Sequence, residues 1–114
     1  MAVRIREINH IVVFDVEGNI RRSEADAIVL HQCVKDQLEL GKKQFLFNLE
    51  KVDFVDSFGV GEFIASFTSA HNLGGTLKLM KIPKRLLIIF QVTGLIRIFG
   101  TIYEDEETAL KSFI

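Results

Sequence analysis

An acidic residue and a serine stand side by side at Asp56-Ser57, within the stretch FVDSFGVGEF (residues 54–63). Apolar residues at helical spacing follow this pair, so it is predicted to lie at the N-terminus of a helix. Backbone N–H groups that are unpaired at a helix start, together with the positive end of the helix dipole, stabilise an anion there. A phosphate group carried by Ser57 would be such an anion.

Two glycines, Gly59 and Gly61, follow the pair in what would be the first turns of that helix, at a cost of up to about 1 kcal/mol each in helix propensity. The absence of a Cβ atom would let a partner's backbone or a phosphoryl group come close to the helix start. Asp56 would oppose a phosphate by its charge. It could cap the helix, or orient the Ser57 hydroxyl and help to hold a metal ion during phosphoryl transfer.

An ordinary helix cap is the structural alternative to a site at this pair. Asp and Ser are both common N-cap residues. The residues three positions after them are Gly59 and Val60, so neither completes a capping box, which needs Glu or Gln there.

The composition restricts the classes of partner. The chain has 114 residues, of which 48% are hydrophobic and 25% charged, and its net charge is -1. This size predicts one domain over residues 1–114. The balanced charge gives no electrostatic case for nucleic acid or anionic lipid, so proteins or small molecules are expected. No targeting segment or membrane-spanning run is apparent and the only cysteine cannot form an internal disulfide, so we expect a cytoplasmic protein without membrane insertion.

The hydrophobic pattern predicts alternating strands and helices. Ser23 is expected to cap a first helix, with Glu24 and Asp26 in its first turn. This helix stops at Gly41, and its apolar stripe consists of Ala27, Leu30, Val34 and Leu38. A second helix follows Ser57, a third segment at residues 86–90 after Pro83 is either strand or helix, and a C-terminal helix starts with acids and ends near Lys111. Strands are predicted at residues 3–5, 8–16, 44–49, 76–82 and 101–103, with a turn at Asn9-His10.

This order of elements predicts an α/β fold with a mixed, largely parallel sheet of four to five strands packed against about four helices. If the strand at residues 44–49 ends near Glu50, residues 51–57 form a loop at its carboxyl end that delivers Ser57 to the next helix. Ligands and partners usually meet open α/β sheets at that edge.

These residues also carry a family resemblance. The segment FLFNLEKVDFVDSFGVGEFI resembles the signature of STAS domains, and specifically of the stand-alone anti-sigma factor antagonists of bacteria: an apolar strand, a short loop, and Asp-Ser-(Ser, Thr or Ala)-Gly-hydrophobic-Gly. The segments VVFDVEGNI, HNLGGTLKLMKIP and FQVTGLIRIFGTIYEDEETAL extend the resemblance over nearly the whole chain. It implies a STAS-type sheet and helices.

The resemblance also implies a function. Ser57 falls on the serine that an anti-sigma factor, which is also an ATP-dependent serine kinase, phosphorylates in this family. The unmodified form would bind the kinase and free the sigma factor, phosphorylation would break the complex, and a metal-dependent serine phosphatase would reset it. Phe58 and Val60 would then contact the partner, although Phe58 could equally pack inward and anchor the helix.

Two departures from the family pattern leave a second interpretation open. In EGNIRR, which contains Asn19, Arg21 takes the place of an aspartate that many members have, and Phe58 replaces a small residue after the serine. The arginines could pair with a phosphoserine or with an acidic partner. The alternative is a constitutive STAS scaffold of a stress-sensing complex or a cytoplasmic accessory module of a membrane transporter.

An enzyme is not predicted. Ser57 is not in a G-x-S-x-G elbow, and His10, His31 and His71 belong to no catalytic motif or metal-ligand spacing, so no metal or cofactor is expected. His31 and His71 are expected at the edges of the apolar faces of their helices.

Overall fold

The computed structural model describes residues 1–22 and 30–114 of the chain, and a five-stranded sheet runs through them. The strands lie in the order β1-β2-β3-β4-β5; β1 is antiparallel to β2, and the other neighbours are parallel. The predicted fold class is therefore confirmed. The described elements are β1 (Ala2–Ile8), β2 (Ile11–Ile20), α1 (Leu30–Glu39), β3 (Gln44–Val55), α2 (Ser57–Asn72), β4 (Thr76–Met80), α3 (Lys84–Val92), α4 (Leu95–Phe99), β5 (Ile102–Tyr103) and α5 (Glu106–Lys111).

A two-residue turn at Asn9 and His10 joins β1 to β2. Both residues have positive φ angles, 51° and 68°, as the turn that matches the twist of a hairpin requires, and asparagine tolerates this conformation well. The predicted turn is confirmed. Strand β1 is longer than predicted and includes Ile8, so the predicted start of the second strand at Ile8 is wrong and β2 begins at Ile11. The two strands pair as far as Ala2 and Glu17, and β2 continues to Ile20.

Helix α1 contains the described part of the first predicted helix. Leu30, Val34 and Leu38 are buried along one side of it, as the apolar stripe predicts. Gly41 follows with a φ of 85°, in the left-handed region where glycine commonly ends helices. The predicted cap, the first turn and the first residue of the stripe lie outside the described residues. They are Ser23, Glu24, Asp26 and Ala27.

Strand β3 does not end near Glu50, and the loop predicted for residues 51–57 is wrong. The strand continues to Val55 because β2 also continues, to Ile20, and keeps pairing with it. The register shifts twice along this stretch, between Asp15 and Glu17 and between Gly18 and Asn19, so β3 contributes extra residues. Ser57 is therefore held directly behind a strand end.

Arg85, near the start of α3, covers the outer edge of this extension. Within the described residues, β3 pairs with β4 only as far as Asn48. Beyond that point, Arg85 Nη2 donates to the Val52 carbonyl at 2.9 Å, and its Nε donates to the Asp53 carbonyl at 3.2 Å. Nη2 also lies 3.2 Å from the Asp53 carboxylate, so one side chain holds α3 against the strand edge.

Phe63 of α2 lies at the centre of the larger core, between the sheet and the helices. Its ring centroid is 5.9 Å from that of Phe47 on β3, 5.2 Å from that of Phe90 on α3 and 6.4 Å from that of Phe99 on α4. These edge-to-face contacts fix α2 against the sheet. Residues 86–90, for which the sequence left strand and helix open, belong to helix α3, which begins after Pro83.

Helix α5 covers the opposite face of the sheet. Its Ala109 is buried together with Ile11 and Val13 of β2. The predicted last strand and C-terminal helix are confirmed as β5 and α5, and Asp105 caps α5 by accepting from the Thr108 N–H at 2.7 Å. Among the helices that the structure describes, none has both the length and the hydropathy needed to cross a membrane.

A charged cluster on Arg6 joins β1, β2 and α5. Arg6 Nε and Nη2 donate to the two oxygens of Asp15 at 2.7 and 3.0 Å, and Nη1 donates to Glu106 at 3.1 Å. The hydrogen bonds from Arg6 lower the pKa of both carboxyl groups, against an opposing effect of burial, and a bond from Asn48 lowers that of Asp15 further.

We predict that Arg6→Met lowers the free energy of unfolding by about 1 to 3 kcal/mol at pH 7, because it removes charge-assisted hydrogen bonds. Both carboxyl groups have a lower pKa in the folded chain than in the unfolded chain. Their stabilisation is therefore complete above about pH 5 and is lost as the pH falls through the folded values. Urea unfolding should show a smaller difference between wild type and variant at pH 3 than at pH 7.

The matched control is Lys111→Met, which removes the exposed ion pair to Glu107 on α5. An exposed pair four residues apart contributes about 0.3–0.5 kcal/mol. An equal effect of the two substitutions would contradict the role given to Arg6.

Candidate functional site

Asp56 joins the end of β2 to the start of α2. Its backbone is extended, and its Oδ1 accepts from the Gly59 N–H at 2.9 Å, as an N-cap residue does. Its Oδ2 accepts from the backbone N–H of Arg22 at 3.1 Å, and its own N–H donates to the Ile20 carbonyl at 3.2 Å. Of the roles proposed for Asp56, the cap is thus the one observed.

The environment keeps Asp56 ionised. Partial burial acts to raise the pKa of its carboxyl group, but backbone hydrogen bonds from Gly59, Arg22 and Phe58 outweigh this effect, and the pKa lies below its ordinary value. A fixed negative charge therefore stands beside Ser57 at neutral pH.

Ser57 is the first residue of α2, a helix of 16 residues, and its side chain is exposed. The unpaired N–H groups and the positive dipole end of this helix lie at the serine. This position gives another protein access to the hydroxyl group and favours an added negative charge.

The solvent-facing side of α2 forms a narrow surface that starts at the serine. Ser57, Gly61, Ile64 and Thr68 are all exposed and follow one another at steps of four, three and four residues, so they share one face of the helix. We call these four residues the α2 stripe. A partner that contacts Ser57 from solvent would meet Gly61 and Ile64 next.

The two glycines have different environments. A Cβ atom at Gly59 would lie 2.3 Å from the Ile20 carbonyl oxygen and 2.8 Å from Val55 Cγ1, whereas a Cβ atom at Gly61 would meet nothing within 4 Å. The sequence analysis explained Gly59 as leaving room for a partner, and this explanation is wrong. The glycine instead leaves room for the end of β2. For Gly61, room for a partner stays a prediction.

Phe58 and Val60 also differ. Val60 packs against the core, whereas Phe58, within the described residues, is not among the side chains that pack there. The Phe58 ring is half-buried under the guanidinium of Arg22, whose Cζ lies 5.3 Å from the ring centroid. Within the described residues, Phe58 therefore does not pack inward as an anchor of the helix.

The remaining candidates lie around the end of β2. Asn19 is half-buried and pairs with Phe54 of β3, and Arg21 is exposed immediately after the strand. Arg22, which the sequence analysis did not single out, contacts both Asp56 and Phe58. The two consecutive arginines were a visible signal, but their order gave no indication of which one reaches the helix.

The histidines lie elsewhere. His31 Nε2 is 2.6 Å from Ser69 Oγ, between α1 and α2, and His71 stacks on Phe67 with ring centroids 5.8 Å apart. Among the residues that the structure describes, neither ring forms a hydrogen bond or ring contact with Ser57. Within residues 1–22 and 30–114, no group of three or more His, Cys, Asp or Glu side chains could hold a metal ion.

Comparisons with known proteins agree on one family. The profile of the STAS domain matches residues 2–109. The chain is 31% identical over 97 residues to the anti-sigma-B factor antagonist of Listeria monocytogenes, an alignment that covers 82% of this chain and 79% of that protein. It is 40% identical over 47 residues to the anti-sigma-B factor antagonist of Bacillus subtilis, across 41% of this chain but only 43% of that relative's length.

Solved structures show the same fold at lower identity. The anti-sigma factor antagonist SpoIIAA in its unphosphorylated form superposes with a TM-score of 0.70 at 19% identity, covering 98% of this chain and 97% of SpoIIAA. The phosphorylated form of SpoIIAA, a Bacillus cell fate determinant, gives 0.73 at 19% identity and covers 99% and 100%.

We predict opposite effects of alanine at the two glycines. Gly59→Ala should lower the free energy of unfolding by about 3 kcal/mol, because its Cβ atom would collide with the Ile20 carbonyl. Gly61→Ala should raise it by up to about 1 kcal/mol, because alanine favours the helix and meets open space. Urea unfolding of the two variants would test both, and changes of the same sign would contradict this assignment.

We also predict that Asp56→Ala destabilises the protein by about 1 kcal/mol, whereas Asp56→Asn, which still caps the helix, costs less. Because the folded pKa of Asp56 is lowered, its contribution is present at neutral pH and is lost as the pH falls through that value. Thermal unfolding monitored by circular dichroism at pH 7 and pH 3 would check this. A wild type that keeps its full advantage over Asp56→Ala at pH 3 would argue against the ionised cap.

Proposed function

The chain belongs to the STAS domain family, and we propose that it acts as an anti-sigma factor antagonist that phosphorylation of Ser57 switches off. The observation that carries the proposal is the placement of Ser57, exposed at the first position of a long helix and beside an ionised aspartate. The relatives named as anti-sigma-B factor antagonists support the same role. The protein would regulate transcription by binding another protein, without catalysing a reaction itself.

In the unmodified state, the α2 stripe would bind an anti-sigma factor that is also a serine kinase. Gly61 leaves the stripe open next to Ser57, and Ile64, a residue that is 39% exposed, supplies apolar surface one turn further on. Phe58, Asn19 and Arg21 are candidate contacts at the edge of this surface. Gly59 and Val60 would act indirectly, because they hold the helix against the body of the domain.

Binding would also place the Ser57 hydroxyl in the kinase site. The serine oxygen would form a bond to the terminal phosphorus of ATP as the bond to ADP breaks, and a base of the kinase would take the hydroxyl proton. This chain would contribute the exposed acceptor oxygen, at a helix start that stabilises the product. A metal-dependent serine phosphatase would later remove the phosphate.

The phosphate would weaken binding for two physical reasons. It adds about -1.5 to -2 charges at pH 7 to a surface that must lose water in the complex. It also stands beside Asp56, whose charge has the same sign. Release would return the anti-sigma factor to the sigma factor, in a cytoplasmic cycle that involves neither nucleic acid contact nor membrane insertion by this chain.

We predict that affinity capture from native lysate separates the Ser57 variants. Wild type and Ser57→Ala should retain a small serine kinase when no ATP is added. With Mg-ATP, wild type should lose the kinase and gain the mass of one phosphate, whereas Ser57→Ala should keep the kinase and gain no mass. Ser57→Asp should retain less kinase in both conditions, although a carboxylate carries less charge than a phosphate.

Thr68→Ala is the matched control, since it removes an exposed hydroxyl from the same face of α2 but farther from the helix start. It should behave as wild type. If all baits hold the same proteins with and without ATP and no phosphate appears on wild type, the proposal fails, and Asp56-Ser57 is a helix cap on a constitutive interaction module.

A further inference from the structure

Arg22 spans the residues on both sides of Ser57. Its backbone N–H donates to the carboxylate of Asp56 at 3.1 Å, and its guanidinium lies over the ring of Phe58, with Cζ 5.3 Å from the ring centroid. Ser57 lies between Asp56 and Phe58 in the chain, so both contacts of Arg22 are with residues adjacent to the serine.

We propose that Arg22 is the counter-ion of a phosphate on Ser57, and that its guanidinium leaves the Phe58 ring for the phosphate when Ser57 is modified. This inference rests on the proposed function, because it assumes that Ser57 carries the phosphate. In this proposal, Arg22 stabilises the phosphorylated form of the protein.

The two contacts of Arg22 use different parts of the residue. The backbone N–H supports the Asp56 cap, while the contact that the guanidinium makes with the described part of the chain is the one with the ring. The side chain can therefore move without breaking the link between β2 and α2. The same separation means that substitution of the Arg22 side chain leaves the hydrogen bond to Asp56 possible.

The exchange of partners is favourable on chemical grounds. A cation–π contact at an exposed site is weak, and Arg22 is exposed. A guanidinium binds phosphate through two parallel charge-assisted hydrogen bonds, which are stronger and more directional. The charge of Asp56 repels a phosphate on Ser57, so a cation that pairs with the phosphate would offset this repulsion.

Arg21 is the neighbouring cation and does not have this geometry. It is exposed, and no hydrogen bond, ion pair or ring contact is recorded between it and the part of the chain that the structure describes. Arg21 and Arg22 thus carry the same charge at adjacent positions, but only Arg22 is observed against α2. This difference makes Arg21 a matched control for Arg22.

Movement of the guanidinium would change the partner surface in a second way. In the unmodified protein, the Phe58 ring is covered by a cation. After the exchange, the ring loses its cover and the cation is neutralised by the phosphate. Phosphorylation would therefore alter both the charge and the apolar area that the anti-sigma factor meets, at residues on each side of the modified serine.

The test uses protein in which phosphoserine is incorporated directly at position 57, so that no kinase is needed. Phosphorus NMR would follow the second ionisation of the phosphate, ordinarily near pH 6, in wild type, Arg22→Gln, Arg21→Gln and Arg22→Lys. A cation paired with the phosphate favours its dianionic form. The pKa of the phosphate should therefore be lower by about half a unit or more in wild type and Arg21→Gln than in Arg22→Gln, with Arg22→Lys between them.

A second readout follows the ring contact itself. In unmodified protein, the Arg22 side-chain protons should show upfield shifts caused by the Phe58 ring, and phosphoserine at position 57 should abolish them. Equal phosphate pKa values in wild type and Arg22→Gln, or persistence of the ring shifts after modification, would overturn the proposal. Because the phosphate is installed without a kinase, these outcomes are independent of whether capture experiments find one.

Discussion

The site depends on the contact between the first turn of α2 and the last residues of β2. The Ile20 carbonyl accepts the Asp56 N–H, and Asp56 in turn accepts the N–H groups of Gly59 and Arg22. The helix can approach this closely only because residue 59 lacks a side chain, since a Cβ atom would lie 2.3 Å from the Ile20 oxygen. Strand end, cap and helix start thus form one closed set of hydrogen bonds, and Ser57 is held within it.

The first turns of α2 must satisfy two structural requirements, and this arrangement places them on different faces of the helix. The role proposed for Ser57 requires the residue to be accessible and also to be held firmly enough to present one shape to a partner. The inward side of α2 satisfies the second requirement through Gly59 and Phe63, which are both buried. The outward side satisfies the first through Ser57 and Gly61, which are both exposed. The two glycines of the motif therefore serve opposite faces of one helix.

Features encoded by neighbouring residues could be predicted from the sequence, whereas features set by distant contacts could not. The Asn9-His10 turn and the position of Ser57 at a helix start follow from local residue types and spacing. The extension of β3 to Val55 does not, because it depends on two register shifts against β2. The role of Gly59 depends on a carbonyl in another strand, and the choice of Arg22 over Arg21 depends on how β2 ends beside α2. The family resemblance indicated Ser57 as a candidate site, but the contacts that hold it could be identified only from the structure.

The Arg85 contact has a consequence for solubility at high concentration. The extended half of β3 presents backbone groups on a side where, within the described residues, no strand pairs with it. Such an open edge is a template on which a strand from another molecule can add, and chains that associate in this way tend to form aggregates. Arg85 occupies two consecutive carbonyls of that edge and places a charge over it. The domain thereby gains protection against irreversible association with copies of itself.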